Sequence, residues 1–187
     1  MKVLELQRNL EILYRLETQP SVEPFLYRLK SEDHPELLLR KEGDEYSLRV
    51  LIGERTLDAI EEQGLSNVSL QQFVNAAEEI SHFTYLCWAI ANEREVSLLD
   101  VELQGEIDKF LLAQHYFSAG TDLFHHLFER CFLKPTLTRA QRERYTEANR
   151  LGGKFCKAWM SGEKNLEDLR KFYRLSSQGR LQRTQKM

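Results

Sequence analysis

Residues 69–117 read SLQQFVNAAEEISHFTYLCWAIANEREVSLLDVELQGEIDKFLLAQHYF, and this stretch decides the fold. Its apolar residues recur at helical spacing and predict two long helices, over 70–92 and 98–117. Ser69 is followed three residues later by Gln72, which is the spacing of a capping box. In that motif each of the two side chains satisfies a backbone N–H of the other residue, so the first helix is expected to begin here.

The first of these helices is expected to lie at the centre of the protein. From Phe83 to Ala91, Thr84 is the one clearly polar residue, and a helix that is apolar all round is buried all round. This apolar run is much shorter than the roughly 20 residues that a membrane span requires. We therefore expect a soluble protein with no membrane segment.

The hydrophobic period changes upstream of this stretch. Apolar and polar residues alternate over 45–52, and Gly43 lies in a short polar break after another run over 36–41. A glycine in a short break between two such runs is typical of a β-hairpin. The sequence thus predicts an α+β fold that is predominantly α, namely a helical bundle of about six helices with one β-hairpin at about 36–52 packed on it.

The predicted domain organisation is simple. Residues 1–175 are expected to form a single α-rich globular domain. Residues 176–187 lack a periodic apolar set, which predicts a loosely ordered basic tail. A single turn is expected at 25–30. Further helices are predicted over 2–18, 54–63, 123–133, 139–160 and 166–175.

Charge is divided unevenly along the chain, although the net charge is only −3. Residues 1–133 carry 12 Lys and Arg against 24 Asp and Glu, whereas residues 134–187 carry 14 against 5. Such asymmetry suits an anionic partner. The simpler explanation is that the basic third neutralises the acidic two-thirds within the fold or within an oligomer.

The cysteine pattern indicates a reducing compartment. Cys87, Cys131 and Cys156 are an odd number with no CxxC spacing, and the N-terminus has no apolar signal core. We interpret the three as reduced, core-filling thiols and expect a cytoplasmic protein. No cofactor is predicted.

Potential metal ligands fall on three predicted helices. Glu79 and His82 form a Glu-x-x-His step, which helical di-metal carboxylate proteins use because both side chains point the same way. Such a centre needs two of these steps, and a helical wheel directs Glu79 and His82 away from the main apolar face. Solvated or structurally paired groups are therefore the favoured interpretation. The full candidate set is Glu79, His82, Glu102, Glu106, His125 and Glu129.

The basic C-terminal third, 139–186, offers a nucleic-acid-binding alternative. Its aromatic residues fall mostly on the inward helix face, whereas stacking on bases needs exposed rings. Tyr173 is the expected exposed exception, and no helix-turn-helix, RRM or KH pattern is present. The candidate contacts are Arg139, Arg150, Lys154, Lys157, Arg170, Lys171 and Arg174.

Three functional hypotheses follow from these patterns. The sequence has no phosphate-binding loop, no GxSxG and no HExxH, so the leading hypothesis is a non-enzymatic interaction or regulatory module with a protein partner or a homo-oligomeric state. The second is a nucleic-acid-associated protein that uses the basic third. The third is a helical metal-dependent enzyme that uses the carboxylates and histidines of the central helices.

Overall fold

The computed structural model describes residues 1–17, 19–30, 36–42, 45–117, 120–130 and 137–186. Over this part of the chain it has eight α-helices and one three-stranded sheet, which confirms the predominantly helical α+β class. About six helices were expected, and the terminal α8 is one that was not predicted. The helices are α1 (Leu4–Tyr14), α2 (Glu54–Gln63), α3 (Leu70–Ala91), α4 (Leu98–Tyr116), α5 (Gly120–Phe124), α6 (Arg139–Met160), α7 (Leu166–Tyr173) and α8 (Ser177–Gln185).

Helices α3 and α4 form the centre, and both begin as predicted. The Ser69 side chain accepts a hydrogen bond from the backbone N–H of Gln72, and the Gln72 side chain accepts one from Ser69. Ser97 and Asp100 repeat this capping box at the start of α4. Helix α4 packs on both α3 and α6. Helix α4 is therefore covered on two sides by long helices.

The predicted enclosure of 83–91 is confirmed for most of its length. Every residue from Phe83 to Ala89 is buried, and Trp88 is among them. Ile90 is 39% exposed, and Ala91 is exposed as well. The enclosure thus ends two residues before the end of α3, where the chain leaves the core.

The sheet contains the predicted hairpin and one further strand. Strands β2 (Glu36–Glu42) and β3 (Glu45–Gly53) pair in antiparallel register, while the turn residues 43 and 44 lie outside the described residues. Strand β1 (Leu26–Leu29), where a single turn was expected, pairs in parallel with β3, so the order is β1-β3-β2. One face of the sheet packs on α3 through Val50 and Ile52, which are completely buried.

Helix α8 differs from the loosely ordered tail predicted over 176–187. The Ser176 side chain caps the helix by accepting from the backbone N–H of Gly179. Arg180 and Thr184 are completely buried, and Arg180 is the largest side chain of the described residues to be so. The lack of periodic apolar residues led to the prediction of a tail because α8 is docked on the core by the buried guanidinium of Arg180 and not by an apolar face.

The remaining predicted helices agree with the structure apart from their ends. Helix α1 is shorter than 2–18 because Arg15 adopts a left-handed conformation with φ of 50° and ends it. Helix α5 begins earlier than expected and continues as a π-helical turn over His125–Glu129. The end of the helix predicted over 123–133, with Cys131, lies outside the described residues.

Two further expectations concern the thiols and the membrane. Cys87 and Cys156 are free and buried, and burial raises the pKa of Cys87 to about 12, as suits an inert core thiol. Within the described ranges, no helix combines the length and the apolar character that crossing a bilayer would require.

Candidate functional site

Helix α4 carries ionisable and polar side chains although it is buried on all sides. Side chains four residues apart share one face of a helix, so these residues divide into two sets on opposite sides of α4. One set is Asp100, Gln104 and Asp108, and the other is Glu102, Glu106 and Lys109, all of them buried. Buried charged groups are costly unless they are paired, so each set requires partners from the neighbouring helices.

The second set meets α3 in what we call the His82 cluster. It comprises Glu78, Glu79, His82, Glu102, Glu106 and Lys109. The imidazole of His82 lies between two carboxylates: its Nδ1 is 3.6 Å from Glu79 Oε2, and its Nε2 is 3.6 Å from Glu102 Oε2. The His82 side chain is only 9% exposed. Arg144 of α6 donates from Nε to Glu102 Oε1 at 3.2 Å and closes this side of the cluster.

Lys109 organises the other half of the His82 cluster. Its ammonium donates to Glu78 Oε2 at 3.1 Å and to Glu106 Oε1 at 2.8 Å. Asn149 of α6 donates to Glu106 Oε2 at 3.2 Å and also to the backbone carbonyl of Leu127 at 3.0 Å. Leu127 belongs to the π-helical turn, so Asn149 ties that turn to the cluster.

Two glycines allow the helices to approach closely enough for these contacts. A Cβ atom on Gly105 of α4 would lie 2.6 Å from His82 Nε2, which no side chain would tolerate. A Cβ atom on Gly152 of α6 would lie 2.8 Å from the Cβ of Glu106. The imidazole thus occupies the space left by the missing side chain at 105, and α6 lies directly against the acidic part of α4.

The electrostatics of the cluster are set by carboxylates in a dry environment. Burial by itself lowers the pKa of His82, but Glu79, Glu102 and Glu78 outweigh it and raise the pKa to about 9. Burial raises the pKa of Glu102, an effect that the charge of His82 partly offsets. Burial likewise raises the pKa of Glu106, and Lys109 opposes that shift. The carboxylates therefore hold a positive charge on His82 in the absence of any other cation.

The geometry also permits a metal ion. Glu78, His82 and Glu102 each offer one ligand atom, and these three atoms all lie within 4.8 Å of one another. No group in the described part of the chain hydrogen-bonds to His82 Nε2, which is buried and faces Glu102. One imidazole and two carboxylates are a donor set that suits Zn²⁺, Mn²⁺ and Fe²⁺. The residues present therefore fit a divalent transition metal.

The structure brings together four of the six candidate ligands named from the sequence. Glu79, His82, Glu102 and Glu106 are buried side by side between α3 and α4. His125 and Glu129 instead pair with each other on the exposed side of the π-helical turn. Of the two interpretations given for Glu79 and His82, the contacts agree with structurally paired groups and not with solvated ones, because α4 covers the side of α3 that the helical wheel assigned to solvent.

Sequence reasoning missed Glu78 and Lys109 as members of the cluster. Glu78 was overlooked because it lies beside Glu79, outside the Glu-x-x-His spacing. Lys109 follows Asp108 in a run that is otherwise apolar toward the C-terminus, and a lone lysine in a helix normally extends to solvent. One feature of the sequence could have indicated buried polar groups on α4. Polar residues recur at 100, 102, 104, 106 and 108 in a helix that also has apolar residues on every side.

The first set of α4 residues forms a separate hydrogen-bonded network. Asp108 accepts hydrogen bonds from Tyr14, from Ser81 at 2.6 Å and from Gln104 at 2.8 Å. Arg180 of α8 donates to Gln104 Oε1 at 2.8 Å. This network connects α1, α3, α4 and α8, as expected of a structural core element, and Nε of Arg180 is a buried donor that makes no hydrogen bond within the described residues.

The basic residues of 139–186 are largely engaged in the fold. Arg170 donates to the backbone carbonyl of Leu13, and Arg174 donates to that of Tyr14, so both dock α7 on the end of α1. Arg139 pairs with Glu143 and Arg150 with Glu147, each within one helix turn. Lys157 and Lys171 are exposed, and Lys154 is half-buried. Tyr173, the expected exposed aromatic, is instead buried and stacks on Tyr14.

The chain was also compared with known proteins. No family model, curated protein or solved structure matches it. The functional argument for the His82 cluster therefore depends on the chemistry of the cluster itself.

Proposed function

We propose that this protein binds one divalent transition-metal ion in the His82 cluster, with Glu78, His82 and Glu102 as ligands. The observation that carries the proposal is the convergence of these three donor atoms to within 4.8 Å, where His82 and Glu102 are buried and Glu78 is half-buried. His82 Nε2 supports it further, because this buried nitrogen makes no hydrogen bond within the described residues. A buried polar atom without such a partner calls for a specific explanation, and an ion is one.

The charge of the cluster favours a divalent cation. Within the described residues, its four carboxylates contact the ammonium of Lys109 and the guanidinium of Arg144, so negative charge is in excess among these groups when His82 is neutral. A divalent ion bound to the neutral imidazole would cancel this charge. In the absence of an ion, a proton on His82 provides part of the same compensation, so proton and metal compete for one nitrogen.

The surroundings of the three ligands resemble those of known metal sites in general terms. Glu79 lies against Nδ1 of His82, on the side of the ring opposite Nε2. A carboxylate in that position orients a metal-bound imidazole and raises its basicity. Three protein ligands leave at least one coordination position for water or substrate, which is typical of catalytic sites and not of closed structural ones.

Metal binding is the prediction that tests this function. We expect protein stripped with chelator and titrated with Zn²⁺ or Mn²⁺ in a calorimeter to bind one ion per chain. His82→Gln, which removes the imidazole, is expected to weaken binding at least about 100-fold, since removal of even an outer partner of a ligand costs 10–100-fold.

The matched control is His125→Gln. His125 also pairs with a glutamate one turn away, but that pair lies on the exposed π-helical turn outside the cluster. This variant is expected to bind the ion as tightly as wild type. Stripped wild-type protein that takes up neither ion, or His82→Gln protein with unchanged affinity, would contradict the proposal.

A protein-interaction role has one observation in its favour, the outer face of the sheet. Tyr27 of β1 is 45% exposed and Leu38 of β2 is 41% exposed, and the Arg49 guanidinium lies 5.2 Å from the centre of the Tyr27 ring. The pairing register places these three side chains on the same face. Exposed aromatic, aliphatic and arginine side chains are the composition of binding hot spots.

The expected result is concentration-dependent self-association through this face. Sedimentation of the wild type is expected to show a dimer that Tyr27→Ser with Leu38→Ser converts to a monomer, whereas Met160→Ser, at an exposed apolar site on α6, leaves the dimer intact. A wild-type protein that stays monomeric at about 100 μM, where even a weak interface with a Kd near 10 μM would be largely occupied, would exclude self-association.

A further inference from the structure

Lys109 is placed where a second cation of the His82 cluster would lie. Its Nζ is within hydrogen-bonding distance of Glu78 on α3 and of Glu106 on α4. Its side chain is nine-tenths buried. Glu78 is therefore shared: it is one of the three proposed ligands, and it also accepts a hydrogen bond from the lysine ammonium.

We propose that Lys109 is a built-in cation that fills the second ion position of the cluster and limits the site to a single metal ion. This inference rests on the proposed function, because it assigns the two sides of Glu78 to different cations. The side toward His82 and Glu102 takes the metal ion, as indicated by Nε2 of His82, which makes no hydrogen bond to any described residue. The side toward Glu106 takes the ammonium.

The oxygen donors around the ammonium are those that a metal ion would use. Glu106 offers Oε1 to the lysine, while its Oε2 is held by Asn149. Two carboxylates that converge on one point suit a hard divalent cation such as Mn²⁺. Removal of the ammonium would take away the positive charge that the buried Glu106 and the half-buried Glu78 now share, which favours the uptake of another cation.

The presence of Lys109 between Glu78 and Glu106 makes the His82 cluster different from a symmetrical site for two metal ions. An ammonium carries one charge and is fixed by its own side chain, so it offsets one of the two negative charges without any dependence on metal supply. The acidic residues of α3 and α4 thus form two adjacent cation positions, one open to exchange and one permanently filled.

The test is the stoichiometry of Mn²⁺ binding to the full chain. Wild type is expected to bind one Mn²⁺, and Lys109→Met, which keeps the length and apolar stem of the side chain, is expected to bind two. Because two ions that share a carboxylate lie about 4 Å apart, the variant is also expected to show a spin-coupled electron paramagnetic resonance signal that wild type lacks.

Two control variants separate the charge of Lys109 from its shape. Lys109→Arg retains a cation and is expected to bind one ion. The double variant Lys109→Met with Glu106→Gln removes one carboxylate along with the ammonium, and it is expected to return to one ion. If Lys109→Met is unfolded without metal but folds when Mn²⁺ is added, the ion has replaced the ammonium, and the inference is supported.

The failures of this inference and of the proposed function are distinguishable. One ion in wild type and one in Lys109→Met would overturn the role of Lys109 while leaving the proposed function intact. No ion in wild type would overturn the proposed function, and the inference with it. Failure of both Lys109→Met and Lys109→Gln to fold with or without Mn²⁺ would also overturn the inference, because an ion could then not take the place of the ammonium.

Discussion

Replacement of Arg180 by methionine is expected to lower the free energy of unfolding by about 3–5 kcal/mol, the usual cost of removing one partner from a buried charged pair. Arg180 is completely buried although it belongs to the last helix of the chain. Urea denaturation followed by circular dichroism at neutral pH measures this difference directly. A residue in a loosely ordered tail would give no change at all.

The expected size follows from what the guanidinium contacts. It donates to the hydroxyl of Tyr85 at 2.5 Å and to Gln104 Oε1 at 2.8 Å, and its Nε lies 3.8 Å from Asp100 Oδ1. It also stacks over the rings of Tyr85 and Phe172, 5.0 and 4.7 Å from their centres. A methionine fills part of the volume but leaves Asp100 buried without its counter-charge.

The control lies one turn further along the same helix. Arg183 pairs with Asp168 at 3.3 Å, and its side chain is 51% exposed. Arg183→Met is therefore expected to cost less than about 1 kcal/mol, as exposed ion pairs do. If Arg180→Met proved equally mild, α8 would not be docked in solution, and the network on that side of α4 would have to be satisfied by water.

The parts of the fold that the sequence predicted well are those with local causes. The capping box of Ser69 and Gln72 places the start of α3 correctly, because the motif acts within four residues, and α6 begins at an observed box of the same kind formed by Thr138 and Gln141. The apolar period then carries each helix to within about a residue of its observed end. Local rules suffice wherever a helix is long and both of its ends are marked.

The parts that escaped prediction depend on distant partners. Strand β1 has only four residues, and its partner β3 lies more than 20 residues further along the chain, so no alternation or turn marks it. Helix α8 is docked by Arg180, whose acceptors Tyr85 and Gln104 belong to α3 and α4. A single buried arginine leaves no periodic signal in the sequence.

The candidate site shows the same division. The spacing of Glu79 and His82 was recognised from the sequence, but their environment was not. A helical wheel compares a face only with the rest of its own helix, and it assigns a polar face to solvent by default. Here the polar face of α3 meets the polar face of α4, which carries Glu102 and Lys109. Such matching of two buried polar faces cannot be seen in either helix alone.

Asp108 is expected to make the stability of the protein depend on pH in the acidic range. Burial raises the pKa of Asp108 from 3.8 to about 6, despite the hydrogen bonds from Ser81, Tyr14 and Gln104 that lower it. Between these two pH values the folded protein retains a proton that the unfolded chain has released. The contribution of Asp108 to the free energy of unfolding therefore falls as the pH rises through this window and is constant above it.

The comparison that isolates this group is wild type against Asp108→Asn. The difference in free energy of unfolding between the two proteins is expected to change by about 3 kcal/mol between pH 4 and pH 7, since a shift of about two pKa units corresponds to that amount. Wild type is favoured at the lower pH. Denaturation curves at several pH values provide the measurement. The comparison is needed because burial also raises the pKa of Glu102 and Glu106, which adds the same slope to both proteins.

A parallel course of the two curves would contradict this account of Asp108. It would mean that the three donors, together with Arg180, stabilise the carboxylate as much as burial destabilises it, so that the network holds a full negative charge at no cost.

Glu143→Gln is the control for the loss of one carboxylate as such, because Glu143 lies on the exposed face of α6 beside Arg139. Its difference from wild type is expected to change by less than about 1 kcal/mol over the same range, as for other exposed pairs. A slope specific to Asp108 would thus show that the polar network on this side of α4 is costly at neutral pH and is retained for the precise docking of α1, α3 and α8 around it.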